Sequence, residues 1–199
     1  MKLFATAALA ALSLSTAAVA QDVPSGTYQL DPTHTTVIWG VSHAGFSLYR
    51  GSFEEVGGAI EWNADRPARS SMMVTIGADS VDVPAAVSHA GNDTFAEDIA
   101  KNALGSETQP EITFKTTKLK KTGDKTGVVT GDLSFNGKTG EITMDVELVG
   151  SGDFMGTPKL GFSGKTTIDR TKWGSDAWTQ FGIGTDVTIE INAEFAKTE

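Results

Sequence analysis

The chain has no cysteine. Disulfides, thiolate nucleophiles and cysteine metal sites are excluded, and stability has to come from the core. Histidine is scarce, with His34, His43 and His89, and no two of them stand at His-x-His or His-x-x-x-His spacing, so no metal site is expected. His34 and His43 are nine residues apart, which on a straight strand is about 30 Å, too far to ligate one metal together. After residue 20 no apolar run is long enough to cross a bilayer as a helix. Basic residues are the minority, 16 against 25 acidic, which argues against nucleic acid and against electrostatic docking on anionic lipid. No nucleophile elbow occurs, and no glycine-rich loop leads from a strand into a helix, so neither hydrolase nor nucleotide chemistry has a motif to stand on.

What is present begins with an export signal. Lys2 precedes the apolar stretch Leu3 to Leu14, and Ala18-Val19-Ala20 is a small-residue cleavage pattern. Residues 1–20 are therefore expected to be a signal peptide, leaving 179 residues as one domain, 21–199, with 15 basic and 25 acidic side chains and a net charge of −10. An exported chain without cysteine points to the bacterial periplasm.

The rest is written in short alternating runs punctuated by Gly, Asn, Asp and Pro, the pattern of an all-β sandwich or barrel. Strands are expected at 26–30, 35–43, 50–62, 70–80, 111–120, 127–135, 140–150, 160–169 and 185–196. Asn136-Gly137 marks a tight hairpin, because a type I′ turn needs positive φ at both positions, and Thr122-Gly123-Asp124-Lys125 marks another. From Pro84 to Leu104 the pattern turns helical, with Asn92 or Asp93 as N-cap and Phe95, Ile99 and Leu104 near one face. That helix could plug or cover a barrel mouth, or pack on the outside of the sheet. Glycines within or beside strands (Gly40, Gly57, Gly58, Gly131, Gly161, Gly164) favour a strongly curved, closed sheet over a flat one.

Candidate functional residues follow from the alternation. Val37, Trp39, Val41, Phe53, Met72, Val74, Ile76, Phe114, Leu133, Phe135, Met144, Phe162 and Ile189, with Ile112, Ile142, Val146, Ile168, Val187 and Ile191, form one inward set, and Phe95 and Ile99 add the helix face. A small barrel with this much Met and aromatic lining and no catalytic group has the look of a carrier for an apolar molecule. His34 and His43 read as a turn residue and a strand end, and are candidates to meet a polar ligand head. Glu190 and Glu194 share a strand face and read as solvated surface.

The segments Tyr28-x-Leu30-Asp31-x-x-His34-Thr35 with Trp39 and His43, Gly51-x-Phe53, Gly58-x-Ile60, Asp79-Ser80-Val81-Asp82 and Pro110-Glu111-Ile112-Thr113-Phe114 stand in one order. Gly131-Asp132-Leu133 with Asn136-Gly137, Ile168-Asp169-Arg170-x-x-Trp173-Gly174, and Ile183-Gly184-x-Asp186-Val187-x-Ile189 continue it. This ordered set, covering essentially the whole mature chain, resembles the YceI-like family. The resemblance implies a lipocalin-like antiparallel β-barrel of about eight strands, with a short helical insert between the fourth and fifth, holding a long isoprenoid chain in a tubular pocket. It also implies a periplasmic location, a polyprenyl lipid or isoprenoid quinone as cargo, a cytochrome b561-type membrane protein as partner, and no established catalytic residue or cofactor. The chain departs from the family pattern between Gly91 and Leu104, which lacks the His-Leu pair that usually precedes the helical turn.

The expectation is a non-enzymatic lipid carrier. Three alternatives stay open: the same barrel holding a fatty acid or fatty amide, an enzyme acting on such a lipid with His34 or His43 as base, and a filled barrel serving stress protection or adhesion.

Overall fold

Alternation sets the strands. In the strand Thr126–Phe135, Gly127, Val129, Gly131, Leu133 and Phe135 are buried, while the residues between them face outward and are only partly covered. The structure, a computed structural model, describes residues 23–84, 91–92 and 94–198. The expected signal peptide, His89 and the N-cap candidate Asp93 lie outside the described residues.

In chain order the strands are β1 (Gly26–Leu30), β2 (Thr36–His43), β3 (Ser47–Phe53), β4 (Val56–Trp62), β5 (Ser71–Gly77) and β6 (Val81–Asp82). The helix α1 (Phe95–Asn102) follows, then β7 (Glu111–Lys121), β8 (Thr126–Phe135), β9 (Lys138–Phe154), β10 (Thr157–Asp169) and β11 (Ile183–Lys197). All pairings are antiparallel. The order β1-β4-β5-β7-β8-β9-β10-β11 closes on itself through β1–β11, giving an eight-stranded barrel. β2, β3 and β6 extend from β11 as a flap of the same sheet.

The flap is the continuation of three barrel strands, each broken at about the same level. β1 and β2 are interrupted by the 3-10 helix Pro32–His34, β3 and β4 by Glu54-Glu55, and β5 and β6 by the 3-10 helix Ala78–Ser80. The breaks support one another: the Gly77 amide donates to the Glu55 carbonyl and the Glu54 amide to the Ser80 carbonyl. The expected single strand at 50–62 is corrected to two strands, and the one expected at 70–80 ends at Gly77, with a 3-10 helix over Ala78–Ser80. Their breaks are fixed by hydrogen bonds between neighbours rather than by local composition.

Two turns behave as their residues demand. Asn136 (φ 50°) and Gly137 (φ 71°) join Phe135 to Lys138 as a two-residue hairpin. Met155 (φ 55°) and Gly156 (φ 87°) do the same between Phe154 and Thr157. There β9 and β10 run on well past the expected 150 and start before the expected 160. The helix is shorter than the expected interval, and Thr94 at its N-cap position makes no side-chain capping bond.

Two clusters cap the barrel's length. At one end Tyr28, Leu160 and Phe195 are fully buried, and the Tyr28 hydroxyl donates to the Pro24 carbonyl at 2.6 Å. At the other, Trp173 stacks on Phe135 with centroids 5.5 Å apart and donates its indole N–H to the Leu133 carbonyl at 2.9 Å. Beside it Arg170 is buried, and its guanidinium donates to the carbonyls of Gly184, Ser175 and Ala177 and to the Ser175 hydroxyl. Burial pulls its pKa below the ordinary arginine value. These bonds pin the loop that closes β10 to β11.

On the outer wall, Asp31 organises the β1–β2 break. Its carboxylate accepts from the Thr33 amide and hydroxyl, meets His34 Nδ1 at 2.9 Å and takes Lys159 Nζ at 3.4 Å. The Thr33 hydroxyl, then His34, hold the Asp31 carboxyl well below the usual carboxylate range. A depressed carboxyl lends stability above the unfolded value of roughly 4 and loses it as the pH falls through the folded one. Asp31→Asn is therefore expected to cost about 1 kcal/mol at pH 7 in urea unfolding, with the gap to wild type closing well below pH 4. A variant that tracked wild type at every pH would show that the cluster carries no stability.

Candidate functional site

The barrel is hollow. Inward-pointing Phe53, Val74, Ile76, Phe114, Val146, Phe162, Ile189 and Ile191 are only half-buried, because the space in front of them is open. The cavity measures about 740 Å³, within the usual range for ligand pockets. On β11 it is lined from Ile183 to Phe195. At the usual strand rise and barrel tilt this is about 40 Å along the strand and about 30 Å along the barrel axis. A narrow apolar tube of that length suits a long flexible chain better than a compact ring system.

All fifteen of the expected lining residues face this cavity: Val37, Trp39, Val41, Phe53, Met72, Val74, Ile76, Phe95, Ile99, Phe114, Leu133, Phe135, Met144, Phe162 and Ile189. Ile112, Ile142, Val146, Ile168, Val187 and Ile191 line it too. The helix is part of the wall and does not lie on the outside of the sheet. Phe95, Ile99 and Leu104 line the cavity beside the flap, and Ile99 and Ala100 pack with Val81.

The two histidines part company. His43 stands among exposed residues where the cavity reaches the surface, with Ser47 and Phe181. His34 does not reach the cavity. Its ring is on the outer wall, bonded to Asp31. Asp31, His34 and Glu194 lie close enough to suggest a metal cage, but the Lys159 ammonium already pairs with both carboxylates, at 3.4 Å and 3.1 Å. Glu190 likewise faces outward to Lys165 and Arg50, and the Lys165 hydrogen bond holds its pKa below the usual value.

Alternation alone did not single out Tyr49, Trp62 and Trp178. Trp178 comes from the β10–β11 loop, and Trp62 ends β4, packing 6.1 Å from Phe162. Tyr49 precedes the expected start of its strand at residue 50. A chain of rings, Trp39–Tyr49–Phe95–Trp178, runs from the flap through α1 to the loop, with centroid separations of 6.0, 6.0 and 6.1 Å.

Residues 28–195 match the model of the YceI-like domain. The chain belongs to the YceI-like family. Among curated relatives, a UPF0312 protein of Pseudomonas fluorescens is 33% identical over 170 residues, 83% of this chain and 85% of that protein. The crystal structure of Burkholderia cenocepacia BcnA superposes with a TM-score of 0.69 at 20% identity, covering 83% of this chain and 98% of that one. A polyisoprenoid binding domain from Saccharophagus degradans, implicated in plant cell wall breakdown, gives 0.65 at 16% identity, covering 86% and 98%. At these identities the two solved structures establish the shared fold, the antiparallel lipocalin-like barrel expected for the YceI-like chain.

Proposed function

We propose that this YceI-like protein is a non-enzymatic carrier that sequesters a long isoprenoid lipid, a polyprenyl chain or the tail of an isoprenoid quinone, in its barrel. The observation that carries the reading is the tube of about 740 Å³ lined from one core cluster to the other mostly by apolar side chains. The polyisoprenoid binding domain from Saccharophagus degradans shares this fold and supports the choice of cargo. Such a lipid is nearly insoluble, and burying it gains roughly 25 cal/mol for each Å² of apolar surface. The mechanism is exclusion of water, and it needs no reactive group. The export signal and the absence of cysteine favour the periplasm, where a carrier of this kind could serve a cytochrome b561-type membrane protein.

Natively exported protein, extracted with organic solvent and analysed by mass spectrometry, is expected to yield close to one polyprenyl species per chain. A fatty acid or fatty amide in that extract would move the reading to the shorter cargo, and a clean extract from folded protein would remove it.

A further inference from the structure

Four buried side-chain polar atoms among the described residues have no hydrogen-bond partner: Thr35 Oγ1, Trp39 Nε1, Tyr49 Oη and Trp62 Nε1. All four residues line the cavity. Buried donors are nearly always satisfied, and an orphan calls for an explanation in function. Two of them are neighbours. Trp39 on β2 and Tyr49 on β3 share the inner face of the flap, with ring centroids 6.0 Å apart.

We infer that Trp39 Nε1–H and Tyr49 O–H form a paired-donor site for an uncharged oxygen acceptor on the ligand head, a ring carbonyl, covered by Phe95 of α1 while no head is bound. The inference rests on the carrier reading above and adds to it the chemistry and position of the head. Tyr49 meets Phe95 edge-on at 6.0 Å, and Phe95 meets Trp178 at 6.1 Å, so a flat ring entering here would find aromatic faces as well as donors. Both polar tips are sealed from solvent while their rings reach the cavity, so the head has to displace a covering side chain to engage them.

The surroundings select against charge. The Asp82 carboxylate acts electrostatically on Tyr49, and its charge would repel a phosphate or carboxylate head. The buried Arg170 is spent on carbonyls and the Ser175 hydroxyl. Burial, and then Asp82, raise the Tyr49 pKa, so its hydroxyl remains a donor at neutral pH.

Binding of a long-tailed benzoquinone and of squalene, an isoprenoid with no oxygen, to lipid-stripped full-length protein tests this. Wild type is expected to prefer the quinone, and Tyr49→Phe and Trp39→Phe are each expected to weaken quinone binding about tenfold and squalene binding far less, so that the preference shrinks. The carbonyl infrared band of the bound quinone should shift down in wild type and revert in the variants. Because the empty barrel leaves the phenol unpaired, Tyr49→Phe should also raise its melting temperature rather than lower it. Equal affinity for both probes in all proteins would overturn the paired-donor site and leave the carrier reading standing. Equal weakening of both probes would make the two rings merely structural, and a preference abolished by Trp62→Phe alone would put the head at the other end. Failure of both probes to bind wild type would remove the carrier reading itself.

Discussion

Ile189→Trp is expected to empty the barrel. Ile189 sits midway along β11, opposite Trp39 on β2 and Thr166 on β10, and packs against both end clusters. It is half-buried because its inward face meets the cavity, so an indole there extends into free space instead of crowding a filled core. Overpacking a dense core costs about 1–3 kcal/mol, but little of that should apply at this position. A chain threading the tube would have to pass the new ring. Lipid recovered per chain should fall at least tenfold, the melting temperature of stripped protein should stay within a few degrees of wild type, and the stabilisation that added lipid gives wild type should vanish. Val149→Trp, on an exposed outward position, should change none of these and serves as control. Full lipid loading of Ile189→Trp would mean that cargo does not run through the centre of the barrel.

The tube was legible in the sequence because strand alternation is local. A period of two assigns each side chain a face whatever its neighbour does, so the residues from Val37 to Ile189 could be placed before the strand order was known. Closure was legible less directly, through glycines that suit only a curved sheet. At Gly131 the need for glycine is a close approach, since a Cβ there would press on the Phe114 ring at 2.5 Å. What the sequence hid was non-local. The aligned breaks at Asp31–Thr35, Glu54-Glu55 and Ala78–Ser80 are held by hydrogen bonds between segments far apart in the chain, and only Pro32 marks one of them locally. Those breaks turn β2, β3 and β6 into a flap, which brings Tyr49 and Trp39 under Phe95 and turns His34 outward. The head-group donors proposed above, Trp39 and Tyr49, are ring residues that nothing in their local sequence distinguishes from core, while of the two histidines His43 reaches the cavity and His34 does not.

Gly58→Ala is expected to be the most destabilising single-methyl change in the barrel wall. Gly58 pairs with Val74 across β4 and β5, and its φ of +144° is one that residues with a Cβ rarely adopt. A Cβ there would lie 2.3 Å from the Met73 carbonyl oxygen and 2.9 Å from the Val74 Cα. Both are backbone atoms of the neighbouring strand, so no side chain can rotate away. Relief requires β4 to separate from β5, and β4 is also the strand that binds β1, through which the barrel closes on β11. The strain and the lost ladder bonds together should cost about 3 kcal/mol or more, roughly 10 °C in melting temperature for a domain of this size. The adjacent Gly57 supplies the control, since a Cβ there meets nothing nearer than Thr75 Oγ1 at 3.5 Å, an ordinary contact. Gly57→Ala should therefore stay within about 1 kcal/mol of wild type. Chemical denaturation of the two variants side by side separates backbone strain from the simple addition of a methyl group. Equal midpoints would show that β4 and β5 can part at Gly58 without cost, and that closure of the barrel does not depend on the close approach there.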